Sequence, residues 1–375
     1  MAVIQWVPDN ELTHLHSLGT STFPNLLPSA RSVHATMTSM SQAQEYTKRL
    51  GTIEPAQFQA ALDRFDLGTF VAATPIPFGL FGQNVFVTST RGEWVLRGCP
   101  HYDWQFPTEQ FFVQLIHART RVPVPYPYLV DPATDIFGWS YVCMPRMPGI
   151  QLADETLIAQ LGGDDQLGLA RAMARTLTEL HTIHADHAGT YDYQTRTIQP
   201  FAKNYRDMIL ESIRDLLATS QSYNANTTVS DVDWVERVIR DNQEAMHEPW
   251  SISLVLHDFK EANMVAQHQQ GEWQISGVFD LMEAHFGDGE SDLVRQVGHY
   301  LRTAPTYAGE FIREYLRLRP VAHGFVERQQ LYMLYDSLII WSYFQRAEGG
   351  LPENKALSLE EWASPFVGYW KTFQM

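Results

Sequence analysis

The most constraining feature of this chain is a change of pattern near residue 150. Before it, from Phe70 to Met147, short runs with high β propensity alternate with turn residues, and the runs at 84–89 and 93–97 flank a short glycine turn that predicts a β-hairpin. After it, apolar residues recur at helical spacing, as in 169–180. A chain of 375 residues exceeds the size of one hydrophobic core. The pattern therefore predicts an α+β fold with a small antiparallel β N-lobe, a large mainly helical C-lobe and a cleft between them.

The same pattern divides the chain into three segments. Residues 1–60 mix polar residues with Ser, Thr and Met and show weak periodicity, so they are interpreted as an N-terminal extension whose order the pattern does not define. Residues 61–146 contain the β-rich runs and form the predicted N-lobe. Residues 147–375 contain the helical patterns and form the predicted C-lobe, which is interrupted by one strand-like island at about 254–280.

Charge and cysteine content argue against several functional classes. The formal net charge is −16, whereas nucleic-acid surfaces require clustered Lys and Arg. The cysteines, Cys99 and Cys143, lie far apart, which is typical of a reducing cytosol rather than a disulfide scaffold. The first residues lack a signal-peptide pattern, and the strongest apolar run, 338–341, follows Asp336 and is too short to span a membrane. We therefore expect a cytoplasmic protein with neither a nucleic-acid nor a membrane partner.

Three polar residues in the strand-like island have the order that phosphoryl transfer requires. Asp258 follows an apolar run, and Asn263 stands five residues later. Asp280 ends the next apolar run, after a turn at Gly271. Transfer of a phosphoryl group to a hydroxyl needs a carboxylate near the attacking oxygen and oxygen ligands for Mg²⁺. A hairpin that brings Asp280 back beside Asn263 would supply both from one place.

This arrangement resembles the catalytic and metal loops of the aminoglycoside phosphotransferase-like family, whose members are relatives of the protein kinases. The family has an Asp-x4-Asn loop, then an apolar-Asp strand end and a Gly-Asp…Asp-Leu segment, which are matched here by Phe279-Asp280, Gly287-Asp288 and Asp292-Leu293. The overlap covers residues from about 70 to 345. The resemblance implies a bilobal protein-kinase-like fold, Mg²⁺, ATP or GTP as co-substrate, and a small hydroxylated acceptor.

The resemblance also implies catalytic and metal-binding roles by position. Asp258 would be the catalytic base or the group that orients the acceptor hydroxyl, and Asn263 and Asp280 would bind Mg²⁺. Lys260 matches the lysine that protein kinases place two residues after the catalytic Asp, and it would contact the γ-phosphate. This family more often has His at that position.

One position departs from the family pattern. The family usually places His two residues before the catalytic Asp, where this chain has Leu256, and His257 directly precedes Asp258. Since that His mostly braces the loop in relatives, its displacement bears on loop geometry more than on reaction type. It also leaves open a catalytically weak or inactive variant. Asp288 and Asp292 are predicted to cap a helix or brace a loop rather than to catalyse.

The N-lobe contains a turn that is predicted to cover the phosphates of the nucleotide. Gly79, Gly82 and Asn84 lie in this turn, which resembles the family's phosphate-covering loop. Glycines there let backbone N–H groups approach phosphate oxygens closely. An ordinary hairpin turn would explain the two glycines equally well.

Three further N-lobe residues are predicted to contact the nucleotide. Arg97 ends a strand where kinases place the phosphate-pairing Lys, and Glu109, at the start of the following helix, would be its carboxylate partner. The alternative is a surface Arg and a first-turn Glu favoured by the helix dipole. Met144 lies in a strand end followed by a Pro-Gly turn, which resembles the family's hinge, so its backbone would receive the base.

Two other sets of residues have both a structural and a functional interpretation. His181 and His184 stand three apart, and without a third ligand at suitable spacing packing or capping is favoured over a metal pair. Four aromatic residues of the last third could form a box for a quaternary amine, but core packing is favoured. These aromatic residues are Trp341, Tyr343, Trp362 and Trp370.

These observations favour a Mg²⁺-dependent small-molecule kinase that transfers the γ-phosphoryl group of ATP or GTP to a hydroxyl. The acceptor would be an antibiotic, such as an aminoglycoside or a macrolide, or a metabolite such as choline, homoserine or a sugar. The alternative is a non-catalytic nucleotide-binding or interaction module on the same fold. The intact Asp258, Asn263 and Asp280 weigh against that alternative.

Overall fold

The computed structural model describes residues 44–76, 82–223, 226–247, 250–346 and 357–373. The strands are β1 (Gln44–Thr47), β2 (Gly51–Ile53), β3 (Phe70–Pro75), β4 (Asn84–Ser89), β5 (Gly92–Gly98), β6 (Leu129–Asp131), β7 (Tyr141–Pro145), β8 (Ile150–Gln151), β9 (Gly189–Asp192), β10 (Thr197–Pro200), β11 (Ile252–Val255), β12 (Met264–Gln269), β13 (Glu272–Val278) and β14 (His285–Asp288). The helices are α1 (Pro55–Arg64), α2 (Gln105–Arg119), α3 (Glu155–Ile158), α4 (Gly163–Leu180), α5 (Tyr205–Tyr223), α6 (Val229–Asn242), α7 (Leu293–Thr303), α8 (Pro305–Leu318), α9 (Phe325–Arg346) and α10 (Leu359–Tyr369).

A five-stranded antiparallel sheet, with strand order β3-β4-β5-β7-β6, forms the N-lobe. The hairpin predicted at 84–89 and 93–97 is confirmed as β4 and β5, in a register that pairs Asn84 with Arg97. The hairpin turn falls at Thr90 and Arg91, one position before the predicted one, and Gly92, with φ of +150°, is the first residue of β5. This register places the predicted phosphate-loop Asn and the predicted phosphate-pairing Arg at the same end of the sheet.

The sheet separates two hydrophobic clusters because successive side chains of a strand point to opposite faces. On β7, Tyr141 and Cys143 face a cluster that includes Phe58 of α1, whereas Val142 and Met144 face the large core shared with the helical lobe. Residues 44–60, which the sequence analysis placed in the extension, therefore contribute to the packing of the sheet. Cys143 is buried, as predicted, and burial raises the pKa of its thiol to about 12.

The C-lobe is built mainly from helices α4 to α10. Two of these helices begin with a capping box, in which the first residue and the third helical residue exchange hydrogen bonds: Thr228 with Asp231 for α6, and Ser358 with Glu361 for α10. The aromatic residues of the last third were predicted to be core, and the tryptophans confirm this. Trp341, Trp362 and Trp370 are buried.

Two small antiparallel sheets in the C-lobe position the functional residues. In the first, with order β13-β12-β8, Met264 pairs with Val278, so the residues just outside the hairpin lie side by side. In the second, with order β10-β9-β14-β11, Val255 at the end of β11 pairs with His285. The loop between β11 and β12 thus leaves one sheet and enters the other. Within the described ranges, no helix combines the length and apolar character that crossing a bilayer requires.

Candidate active site

One buried carboxylate, that of Asp292, stabilises the backbone of the loop between β11 and β12. Asp292 accepts hydrogen bonds from the backbone N–H groups of Leu256 and His257, both at 2.7 Å. Its Oδ2 also lies 3.3 Å from Nε2 of the buried His181. The loop-bracing role predicted for Asp292 is confirmed, and it does not depend on a His at position 256, where the buried Leu256 packs into the core.

Asp258 projects from this loop and is surrounded by donors and cations. Its Oδ2 lies 2.8 Å from Nζ of Lys260 and accepts a hydrogen bond of 3.1 Å from Nδ2 of Asn263. Its Oδ1 lies 3.5 Å from Nε of Arg295. Burial alone would raise the pKa of Asp258, but Arg295 and Lys260 outweigh that effect and lower it. The carboxylate is therefore ionised at neutral pH and can accept a hydrogen bond from a hydroxyl.

Asn263 and Asp280 lie at the open end of the β12–β13 hairpin. The backbone N–H of Phe279 donates to the carbonyl of Asn263 at 3.1 Å, which brings the two predicted Mg²⁺ ligands together. Because Nδ2 of Asn263 donates to Asp258, its Oδ1 is the side-chain atom that can face a cation. Asp280 has a left-handed backbone, with φ of +65°, and a side chain that is 26% exposed. A left-handed residue that is not glycine is uncommon and is often found at functional sites.

This donor set fits Mg²⁺ shared with a nucleotide. Mg²⁺ prefers oxygen ligands and usually combines one or two carboxylates with substrate phosphates and water. Asp280 presents one carboxylate oxygen to Arg97 and retains the other, and Asn263 supplies an amide oxygen. Among the residues that the structure describes, no group of three or more His, Cys, Asp or Glu side chains could enclose a metal ion. Phosphate oxygens and water would complete the coordination of a bound Mg²⁺.

Arg97 joins the sheet of the N-lobe to the open end of the β12–β13 hairpin. Its guanidinium lies 2.9 Å from Glu109 on α2 and 3.2 Å from Asp280. Burial would lower the pKa of Arg97, but the two carboxylates outweigh that effect and raise it. The pairing of Arg97 with Glu109 is the one that the sequence predicted, and both side chains are buried rather than exposed on the surface.

Glu109 is held by a second partner that the sequence analysis did not find. The hydroxyl of Tyr128 donates to the same oxygen, Oε2, at 2.6 Å. Burial raises the pKa of Glu109 to about 7, and Arg97 opposes this rise. Among the described residues, Oε1 of Glu109 and Nε of Arg97 are buried without a hydrogen-bond partner. Unsatisfied buried polar atoms of this kind require a functional or structural explanation.

Of the remaining predicted nucleotide contacts, Gly82 and Asn84 lie at the end of the sheet that carries Arg97. Gly79 lies outside the described residues. Gly82 has φ of +55°, a conformation that glycine adopts without strain, and its carbonyl accepts from the hydroxyl of Thr47 at 2.5 Å. Oδ1 of Asn84 is buried and without a hydrogen-bond partner in the described part of the chain. Met144, near the end of β7, is buried and pairs with Val95.

Three charged residues near Asp258 were not found from the sequence. Arg295 on α7 contacts Asp258, and Asp336 on α9 lies 3.0 Å from Nε of Arg295. Glu283 follows Asp280 by three residues; burial raises its pKa to about 7, with further contributions from the charges of Asp258 and Asp280. The sequence signal that could have revealed such residues is a charged residue within an otherwise apolar stretch. Asp336, just before the apolar run 338–341, is an example.

Aromatic and imidazole rings surround His257, the residue that directly precedes Asp258 in the chain. The ring centroid of His257 lies 5.9 Å from that of His285 and 6.0 Å from that of Tyr335. His257 has a left-handed backbone, with φ of +66°. Burial lowers the pKa of His257 to about 4, so the ring is neutral at pH 7.

His181 and His184, which follow the end of α4, are structural, as predicted. His181 is fully buried, and its Nδ1 lies 2.9 Å from the hydroxyl of Tyr315. His184 contacts the backbone carbonyl of Ile252 through Nδ1, at 2.9 Å. Burial lowers the pKa of His181, which keeps the ring uncharged. The partners of both rings are therefore protein groups of the surrounding core and loop.

A β lobe beside a helical lobe, with an Asp–Asn loop and a second Asp at the end of the following hairpin, is the arrangement of a kinase-like phosphotransferase. The chain belongs to the phosphotransferase enzyme family, whose family model matches residues 72–325. The fold class and the family resemblance predicted from the sequence are thereby confirmed. No protein of curated function matches the sequence at a significant level.

Solved structures of aminoglycoside phosphotransferases have the same fold. A Ralstonia eutropha protein assigned as an aminoglycoside phosphotransferase is 16% identical, covers 86% of this chain and 99% of its own, and gives a TM-score of 0.56. A thermostable mutant of APH(4)-Ia, in a ternary complex with ADP and hygromycin B, is 16% identical, with coverages of 83% and 96% and a TM-score of 0.57. The GDP and kanamycin complex of APH(2")-IIIa is 14% identical, with coverages of 85% and 98% and a TM-score of 0.56.

Proposed function

We propose that the protein is a Mg²⁺-dependent small-molecule kinase that transfers the γ-phosphoryl group of ATP or GTP to a hydroxyl of a small acceptor. The observation that carries this proposal is the convergence of Asp258, Asn263 and Asp280 at one place, beside the buried Arg97. The family membership supports phosphotransferase activity. The acceptor, the nucleotide and the metal belong to the proposal.

The nucleotide would bind between the end of the five-stranded sheet and the hairpin. Arg97, positioned by Glu109, would neutralise phosphate charge, and its free Nε would have an acceptor there. Gly79, Gly82 and Asn84 would cover the phosphates, and the backbone near Met144 would receive the base. Bound to Asn263 and Asp280, Mg²⁺ would neutralise the developing charge on the phosphates.

The chain's own part in the chemical step is to position the acceptor and to take up its hydrogen bond. The acceptor hydroxyl would donate to the ionised carboxylate of Asp258, which would orient the oxygen for attack on the γ-phosphorus and take up its proton. As the new P–O bond forms, the bond from the γ-phosphorus to the β,γ-bridging oxygen breaks and ADP or GDP leaves. Lys260, whose side chain is 33% exposed, would contact the γ-phosphate. Most of the rate enhancement would come from positioning and electrostatics.

We further propose that the nucleotide-binding N-lobe spans 61–146 and the helical lobe 147–375. The last strand of the five-stranded sheet ends at Pro145, which supports this boundary. A cytoplasmic location is proposed because the two cysteines, Cys99 and Cys143, are free thiols. Aminoglycosides are the first acceptors to examine because proteins of this fold have been crystallised with hygromycin B and kanamycin.

The decisive experiment measures ADP or GDP release with Mg²⁺ across a panel of kanamycin, hygromycin B, erythromycin, choline, homoserine and glucose. Wild type is compared with Asp258→Asn and with Asp241→Asn, whose carboxylate is 66% exposed. Acceptor-stimulated release that falls at least about 100-fold only in Asp258→Asn supports the proposal. Release that Asp258→Asn leaves unchanged would contradict it. Nucleotide binding without stimulated release from any acceptor would favour the non-catalytic module.

A further inference from the structure

We propose that Arg295, held in place by Asp336, is a positioning residue that directs one oxygen of Asp258 toward the acceptor hydroxyl. This inference rests on the proposed function, in which Asp258 receives the hydrogen bond of the acceptor. It assigns a role to two buried charged residues that lie 37 and 78 positions after Asp258 in the chain.

The two oxygens of Asp258 have different surroundings. Oδ2 is occupied, because Nζ of Lys260 lies at 2.8 Å and Nδ2 of Asn263 donates at 3.1 Å. Oδ1 faces Nε of Arg295 at 3.5 Å, which is beyond ordinary hydrogen-bond length. Arg295 therefore attracts Oδ1 without using its lone pairs. Oδ1 is the oxygen that remains to accept a hydrogen bond from a substrate.

Asp336 prevents Arg295 from pairing fully with Asp258. Nε of Arg295 lies 3.0 Å from Oδ1 of Asp336, closer than its 3.5 Å separation from Asp258. An Arg facing a single carboxylate tends to form a bidentate pair that occupies both oxygens. With Asp336 on α9 as the nearer partner, the guanidinium stays on α7 behind Asp258. Arg295 thus orients the carboxylate of Asp258, but its Oδ1 remains free to accept a hydrogen bond from the acceptor.

Arg295 and Lys260 differ in how firmly they are held. The side chain of Arg295 is 16% exposed and lies between Asp258 and Asp336, whose side chain is 6% exposed. The side chain of Lys260 is 33% exposed, and its ion pair is with Asp258. When Lys260 contacts a γ-phosphate it shares its charge with the nucleotide, and Arg295 remains as the fixed cation beside Asp258. The orientation of Asp258 is thereby independent of nucleotide binding.

The test compares Arg295→Met, Arg295→Lys and Asp336→Asn with wild type, with Asp258→Asn and with Arg171→Met, whose side chain is 40% exposed. Turnover is measured with Mg²⁺ and ATP or GTP on the most active acceptor of the panel above, or on water if none is active. Arg295→Met should lower kcat by about 30- to 100-fold with the KM for nucleotide within about twofold, because a misplacement near 1 Å costs about that much. Arg295→Lys should recover at least about tenfold, and Arg171→Met should match wild type.

A crystal structure of Arg295→Met gives a readout that needs no acceptor. The carboxylate of Asp258 should rotate or occupy several conformers while Asn263 and Asp280 stay in place. An unmoved Asp258, or a kcat equal to wild type in both Arg295→Met and Asp336→Asn, would overturn the inference. If Arg295→Met does not fold, Arg295→Lys and Asp336→Asn replace it: lowered kcat at constant KM supports the inference, and wild-type kcat in both overturns it.

The controls separate this inference from the proposed function. Loss of turnover in Asp258→Asn together with wild-type kcat in the Arg295 and Asp336 variants removes the positioning role alone. Turnover that Asp258→Asn leaves intact removes the proposed function and the inference with it.

Discussion

Two ion pairs of the site differ in their exposure to solvent. Arg97 and Glu109 are almost completely enclosed, with side chains 7% and 2% exposed. Asp258 and Lys260 are 24% and 33% exposed. The first pair lies where the sheet meets the helical lobe, and the second lies on the loop between β11 and β12.

The difference follows from the cost of burying charge. Removing a charge from water is costly, so a buried charge is retained only with close partners, and loss of one partner leaves the other uncompensated. An exposed ion pair contributes little to stability because water and salt screen it. The Arg97–Glu109 pair is therefore part of the folded structure before any ligand binds. Lys260, in contrast, can leave Asp258 and pair with another group. The free energy of unfolding, measured by denaturant titration, should therefore change most in Arg97→Met and least in Lys260→Met.

Arg97→Met should have the largest effect. Glu109 would remain buried without its cation, and such losses destabilise by about 3–5 kcal/mol. Arg214→Met is a matched control, because Arg214 also lies 2.9 Å from a carboxylate, that of Glu236, but both side chains are more than 40% exposed. The control should cost less than about 1 kcal/mol. Equal losses in the two variants would show that burial does not distinguish the pairs.

Asp292→Ala should cause the next largest loss in the free energy of unfolding. The variant leaves the backbone N–H groups of Leu256 and His257 without their acceptor. A buried unsatisfied donor costs about 1–3 kcal/mol, and the partly buried N–H of His257 costs less, so a loss of about 2–4 kcal/mol is expected. Asp192→Ala removes an exposed carboxylate that accepts from the N–H of Gln194 at 2.8 Å. That control should lose less than about 1 kcal/mol, because water replaces the missing acceptor.

Glu283→Gln should show an effect that depends on pH. The pKa of Glu283 rises from 4.5 in the unfolded chain to about 7 in the fold. The folded state therefore binds more protons between these values, and the stability of wild type falls as pH rises from 4.5 to 7. Glu283→Gln lacks this loss, so its stability relative to wild type should increase by roughly 1–3 kcal/mol between pH 5 and pH 7.5. A difference that stays flat over this range, like that of the exposed Glu272→Gln, would contradict the assignment.

Lys260→Met should have the smallest effect on stability, within about 0.5 kcal/mol, because its ion pair with Asp258 is partly solvated. Lys203→Met, which removes an exposed partner of Glu211, is the matched control. The two variants should be indistinguishable in unfolding. A loss of 2 kcal/mol or more in Lys260→Met alone would place Lys260 in the structural class of Arg97.

The parts of the site that sequence reasoning predicted are those fixed by local geometry. The Asp258–Asn263 loop directly precedes the β12–β13 hairpin and Asp280 follows it, so spacing alone brings them together. Arg97 and Glu109 follow each other as strand end and next helix, and the fold class follows from the change of pattern along the chain. These relations need only short-range structure and a family resemblance.

The parts that were missed depend on helices that meet across the core. Arg295 and Asp336 stand on α7 and α9, and their contact is set by how those helices pack against each other. Tyr128 reaches Glu109 from the segment after α2. No periodicity in the sequence determines such distances, because packing between distant helices depends on all the side chains between them. The packing of residues 44–60 on the sheet was missed for the same reason.

The bridge from Arg97 to Asp280 has a consequence for the exchange of parts between relatives. A natural recombinant or an engineered chimera that replaces the sheet but keeps the helical lobe would also replace the arginine and glutamate while keeping the aspartate. Unless the incoming sheet supplies both groups in matching positions, the junction would contain an uncompensated charge. Arg97, Glu109 and Asp280 therefore have to be inherited together, although they lie on both sides of the boundary between the lobes. Any division of this chain into interchangeable modules must keep the three residues together.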